Sequence, residues 1–126
     1  MNVSGGAPIM VLVTLQHHCV RLIRKAADMA LRQRCPLKVV HVAHAQDEGE
    51  RSLAMNVNVL NDLYALAGEV GAEMCVLTSP VMVTAVAEYA KGHQIKQVVM
   101  GDGKQAHGIA ETLSELLPGI AIFIID

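Results

Sequence analysis

The chain has 126 residues, of which 52% are hydrophobic and 17% charged, with a formal net charge of -2. That length fits one domain able to bury most of its apolar surface, and the composition excludes a disordered chain. The slightly acidic balance argues against nucleic acid as the main partner, because binding a phosphate backbone needs clustered Lys and Arg.

The stretch Met1–Pro8 reads as a flexible leader ahead of one α/β domain over residues 9–126. Its Ser4-Gly5-Gly6 triplet is not a phosphate loop, since such loops follow a strand and open a helix. Ile9–Leu15 (IMVLVTL) is a near-continuous apolar run, as expected of a strand buried on both faces. Val20–Arg34 has helical spacing, with Val20, Ile23, Ala27, Ala30 and Leu31 on one side, and Pro36 stops it. Arg21, Arg24, Lys25, Arg32 and Arg34 surround that helix with Asp28 among them, which reads as a solvated face. Leu37–Ala43 (LKVVHVA) is the second strand and 45–50 a polar loop.

Arg51–Val70 is a long helix with Leu53, Val57, Leu60, Tyr64 and Ala67 on one stripe and Gly71 at its end. Glu73–Thr78 is the third strand. Ser79 then suits an N-cap and Pro80 the first turn of a helix carrying Met82, Ala85, Val86 and Tyr89, with Gly92 just past its end. Gln97–Met100 is the fourth strand, and Gly101-Asp102-Gly103 opens the loop at its carboxyl end. In an open parallel sheet a loop at that end is where ligands bind. His107–Leu117 is the last helix, stopped by Pro118-Gly119, and Ile120–Ile125 the fifth strand. Strands separated by crossover helices imply an open parallel sheet with helices on both faces.

No stretch is long and apolar enough to enter a bilayer, and Met1–Pro8 lacks a signal-peptide pattern, so a cytoplasmic address is expected. Cys19, Cys35 and Cys75 form no CxxC pair and read as reduced thiols, with Cys75 a small core residue.

The order of elements, the strand VVHVAH (Val39–His44) and the run AVAEYAKGHQIKQVVMGDG (Ala85–Gly103) resemble the universal stress protein family. The sequence is also similar to the short variant of that domain found in potassium-sensing histidine kinases. The resemblance implies a five-stranded sheet in the order 3-2-1-4-5 and a ligand crevice between the ends of strands one and four, where many members bind ATP. It implies a cofactor-binding set of Gln16, Val42, Met100, Gly101, Gly103 and Gly108 for ATP or another nucleotide. The chain departs from the family pattern at three of its positions. Gln16 stands where an acidic residue is usual, Lys104 replaces the second glycine, and Gly108-Ile109 lacks the final hydroxyl. The loop Asp102–His107 is also short. Backbone N–H groups at Gly103 and at the start of the last helix can still hold an anion, with Lys104 assisting and Asp102 opposing. Weak ATP binding is the expectation.

Two rival readings use other chemistry. His17, His18, His41, His44 and His107 approach one edge of the expected sheet, and with Cys19 or Asp102 they form a candidate metal site. No paired ligand spacing supports it, and His41 reads as structural. Cys19 beside His18 is a candidate reactive thiol if it opens the first helix. No Ser-His-Asp order or paired carboxylates point to an enzyme. The favoured reading is a non-catalytic signalling domain. It binds a small ligand and pairs with a second copy through the Ile120, Ile122 and Ile124 strand, an apolar edge without charge at its centre.

Overall fold

A computed structural model describes residues 6–13, 19–44, 50–103 and 105–125, without the side chains of 19, 43, 44 and 50–59. The chain alternates β1 (Ile9–Leu12), α1 (Cys19–Gln33), β2 (Leu37–His44), α2 (Glu50–Glu69), β3 (Glu73–Ser79), α3 (Met82–Gly92), β4 (Gln97–Gly101), α4 (Ala106–Leu116) and β5 (Ala121–Ile125). The strands form one parallel sheet in the order β3-β2-β1-β4-β5, as expected. Each crossover carries a helix long enough to return over the sheet, which is what parallel neighbours require.

Alternation along the strands divides the core in two. Ile9, Val11, Val39 and Val99 face α1 and α2, where Ile23, Ala26, Leu63 and Ala67 meet them. Met10, Leu12, Val40, Val98 and Met100 face α3 and α4, against Val86, Ala90 and Leu113. Strand β1 is wholly buried because it has a strand on each side and helices on both faces. No described helix is long and apolar enough to cross a membrane.

Several local expectations need correction. Val20, Leu31 and Tyr64, assigned to apolar stripes, are exposed at 50%, 77% and 52%, while Leu22, Ala26, Leu63 and Leu66 are buried. The true seams run one position away, so the apolar spacing chose the right helices but the wrong edge of each stripe. Ser79 does not cap α3. It ends β3, and its hydroxyl closes a turn around Pro80, accepting from the Val81 N–H (3.0 Å) and donating to the Val81 carbonyl (2.9 Å). The cap position is Val81, which has no side-chain capping bond.

Gly92 is the last helical residue, and the left-handed position past α3 belongs to Gln94 (φ 57). The Ile95 N–H then reaches back to the Ala90 carbonyl (2.9 Å). Arg34 (φ 55) after α1 and Gly71 (φ 74) after α2 end their helices in the same way. Cys75 is only half-buried, at the rim of the α3/α4 layer. Gly6 passes so close to Cys35 that an added Cβ would lie 3.0 Å from that residue's Cβ.

Candidate functional site

Leu12, which ends β1, pairs with both Val40 of β2 and Met100 of β4; β4 ends one residue later, while β2 runs on to His44. Val13, His41 and Gly101 follow one residue on, and Val42 one further along β2. Here neighbouring crossovers leave on opposite faces, α1 on one and α4 on the other, which opens the crevice of an open α/β sheet.

Of the expected ligand set, Gln16 lies outside the described residues, as do His17, His18 and Lys104. Val42 is half-buried beneath α3, and Met100 is 4% exposed inside the α3/α4 layer. The Met100 side chain is therefore committed to the core, and only its backbone faces the strand end. Gly101 closes β4 under α1, where a Cβ would meet the Leu22 Cδ2 at 3.8 Å, an ordinary contact. At Gly103 and Gly108 an added Cβ would meet nothing within 4 Å. Internal packing does not require these two glycines, and they leave open space above the backbone.

The loop after β4 is held by its own hydrogen bonds. The Asp102 N–H donates to the Ile125 carbonyl (3.0 Å), that of Gly103 to Gly101 (3.1 Å), and that of Ala106 to Gly103 (3.1 Å). The Gly103 N–H, one of the donors expected for an anion, here donates within the loop. What remains is the first turn of α4. No side chain caps it, and the N–H groups of His107 and Gly108 have no acceptor among the described residues. Two adjacent donors at a positive helix end suit one anionic group. Asp102 and His107 flank them, Oδ1 to Nε2 3.9 Å apart and both well exposed, so this pair is ionic only when the imidazole is protonated.

Of the histidines in the metal reading, only the side chains of His41 and His107 are described. His41 turns its Nδ1 to the Val13 carbonyl at 3.0 Å, and His107 stands in the exposed loop. Among the described residues no group of three or more His, Cys, Asp or Glu side chains is arranged to hold a metal. The Cys19 side chain lies outside the description, so the thiol reading gains no geometry.

Comparison with known proteins agrees with this architecture. A structure of a universal stress protein from Archaeoglobus fulgidus superposes with a TM-score of 0.73 at 19% identity, covering 96% of this chain and 94% of that one. The Archaeoglobus fulgidus protein in complex with dAMP gives 0.71 at 19% identity, covering 96% and 98%. An Arabidopsis thaliana family protein with AMP bound gives 0.62 at 12% identity, covering 95% and 90%. At these identities the likeness establishes the fold alone. No curated protein gives a significant match to the sequence. The model of the universal stress protein family matches residues 7–117, nearly the whole described body of the sheet and its helices. On that match, the chain belongs to the universal stress protein family.

Proposed function

We propose that the protein is a cytoplasmic, non-catalytic signalling domain that binds a nucleoside monophosphate in the strand-end crevice. The observation that carries this reading is the first turn of α4, which no side chain caps and whose His107 and Gly108 N–H groups have no acceptor among the described residues. Two donors and a helix dipole match one phosphate. The related structures that hold dAMP and AMP support a ligand of that size. The Gly103 N–H donates to Gly101 and Asp102 adds negative charge, both of which disfavour a triphosphate.

Calorimetry with AMP and with Mg-ATP tests the reading. AMP binds more tightly, and ATP shows a dissociation constant no tighter than roughly 100 μM, about -5.5 kcal/mol. Gly108→Pro removes one donor at a first-turn position where proline is tolerated, and weakens AMP by roughly tenfold, the worth of one bond to a charged group. A micromolar constant for ATP, or a proline variant that binds AMP normally, overturns the assignment.

The second part of the proposal is pairing with a second copy through β5, an edge strand with Ala121 and Phe123 exposed. Ile122 and Ile124 instead join Ile120 beneath α4. The edge backbone and Phe123 therefore form the contact, an isologous one that closes about a two-fold axis.

A further inference from the structure

His41 is the buried polar side chain of the described core, 8% exposed, and the phosphate-binding turn makes no use of it. It lies on the α1 face of the sheet, in one row with Val13 of the central strand and Gly101 of β4, just past the paired positions Val40, Leu12 and Met100. The last rung between β1 and β2 runs from the Val13 N–H to the Val40 carbonyl at 2.9 Å. In a parallel ladder the next donor to the Val13 carbonyl is the Val42 N–H. The imidazole takes that carbonyl instead, Nδ1 to O 3.0 Å. Because a carbonyl only accepts, the proton must reside on Nδ1, which fixes the tautomer.

We propose that His41 is a positioning residue for the crevice: by holding the Val13 carbonyl from β2 it fixes the carboxyl end of β1 beside Gly101. A side-chain donor at that rung leaves the Val13 carbonyl paired. The imidazole suits the task because its rigid ring reaches the carbonyl from the neighbouring strand. Val13 sits next to Gly101, and Gly101 begins the loop that leads to the free N–H groups of α4, so the hydrogen bond sets one wall of the crevice relative to the other. This inference rests on the mononucleotide reading only for which ligand feels the change.

The test uses the full chain as wild type, His41→Asn and His41→Leu. The asparagine amide nitrogen falls near the Nδ1 position and can donate to the same carbonyl, whereas leucine cannot. Nitrogen NMR of the ligand-free wild type is expected to show His41 as the Nδ1–H tautomer. In His41→Leu the amide resonances of Val13, Gly101 and Asp102 shift while those of Ile95 and Leu117, at the other end of the sheet, hold still. His41→Asn retains the wild-type shifts at all five positions. AMP titration is expected to give at least a tenfold weaker constant for His41→Leu and one within threefold of wild type for His41→Asn, with circular dichroism showing both folded. An Nε2–H tautomer, or a leucine variant whose Val13 and Gly101 resonances do not move, overturns the assignment. If the wild type binds no AMP, the ligand reading falls, while the NMR comparison still decides the role of His41.

Discussion

The two edges of the sheet are finished differently. On β3, helices pack against both faces, α2 on one and α3 on the other. A polar cluster closes its start, where Lys38 of β2 pairs with Glu73, and Tyr89 of α3 lies near Cys75. The Tyr89 ring stacks on His93 with centroids 4.0 Å apart and planes at 29°. On β5, α4 covers one face, while α1 packs over β1, β2 and β4 and leaves Ala121 and Phe123 in solvent, Phe123 at 40%. No charged side chain stands between Ala121 and Ile125. Natural sheets protect an edge with charge or a covering element, or use it to pair with another chain. The chain covers both faces of β3 with its own helices, whereas β5 keeps one face open, the face of the proposed pairing.

The largest effect that breaks this comparison is a charge at the open edge. Phe123→Lys is expected to convert the dimer to a folded monomer, seen as a halved mass in light scattering with an unchanged circular dichroism spectrum. Ile122→Lys behaves differently, because it drives an ammonium under α4 into the Leu113 layer and unfolds the chain. A wild type that stays monomeric at high concentration would sink the proposed pairing.

Next in size is the packing that holds β5 from its closed side. Leu113 is fully buried between α4 and the sheet. Leu113→Ala removes that contact and is expected to cost about 2–5 kcal/mol in a denaturant melt. Cys75→Ala, at the half-buried rim of β3, removes one sulfur and costs about 1 kcal/mol. Equal losses at the two positions would mean that α4 does not clamp its edge more tightly than α3 does.

Element order and sheet topology were legible because buried parallel strands read as continuous apolar runs and each helix carries a 3.6-residue period. The same logic fails at the helix seams. Val20 and Leu31 satisfy the periodicity as well as Leu22 does, and only the position of the neighbouring strands decides which is covered. Helix ends were legible where glycine supplies the left-handed residue, as at Gly71, and hidden where Arg34 and Gln94 adopt it despite their side chains. At the candidate site, the motif glycines fall at the end of β4, in the loop that follows it and in the first turn of α4. The occupied Gly103 N–H and the capping role of His41 depend on three-dimensional hydrogen bonds, which no residue spacing encodes.

A smaller effect reads the closed edge through Tyr89. Burial, chiefly, and then the neighbouring Cys75 and Glu73 push its phenol well above the ordinary tyrosine range. The folded state thus favours the neutral ring. Its contribution is complete below the ordinary tyrosine pKa and is lost as pH rises through the higher folded value. Ultraviolet difference titration of a Tyr64→Phe variant should show the Tyr89 phenol ionising late, at the unfolding transition. Cys75→Ala lowers that late step. A Tyr89 phenol that ionises in the ordinary tyrosine range in folded protein would show that the β3 edge is more open than its packing implies.

The smallest expected effect concerns the ion pair at the start of the same edge. Glu73 accepts a hydrogen bond from the Lys38 ammonium, which, with that cation's charge, holds its carboxyl below the usual carboxylate range; His93 adds to the shift and slight burial opposes it. A depressed folded pKa contributes stability above the unfolded value, and the contribution is lost as pH falls through the lower folded one. The carboxylate side is 64% exposed against 19% for Lys38, so water and salt screen the pair and its worth stays near the low end for surface bridges. Glu73→Gln should therefore melt slightly below wild type at neutral pH in low salt, with the gap closing below the usual carboxylate range and narrowing in high salt. The gap must follow the charge on Glu73. A difference that survives at acid pH or high salt would mean that Glu73 acts through packing and not charge, and that the β3 edge is closed by its helices alone.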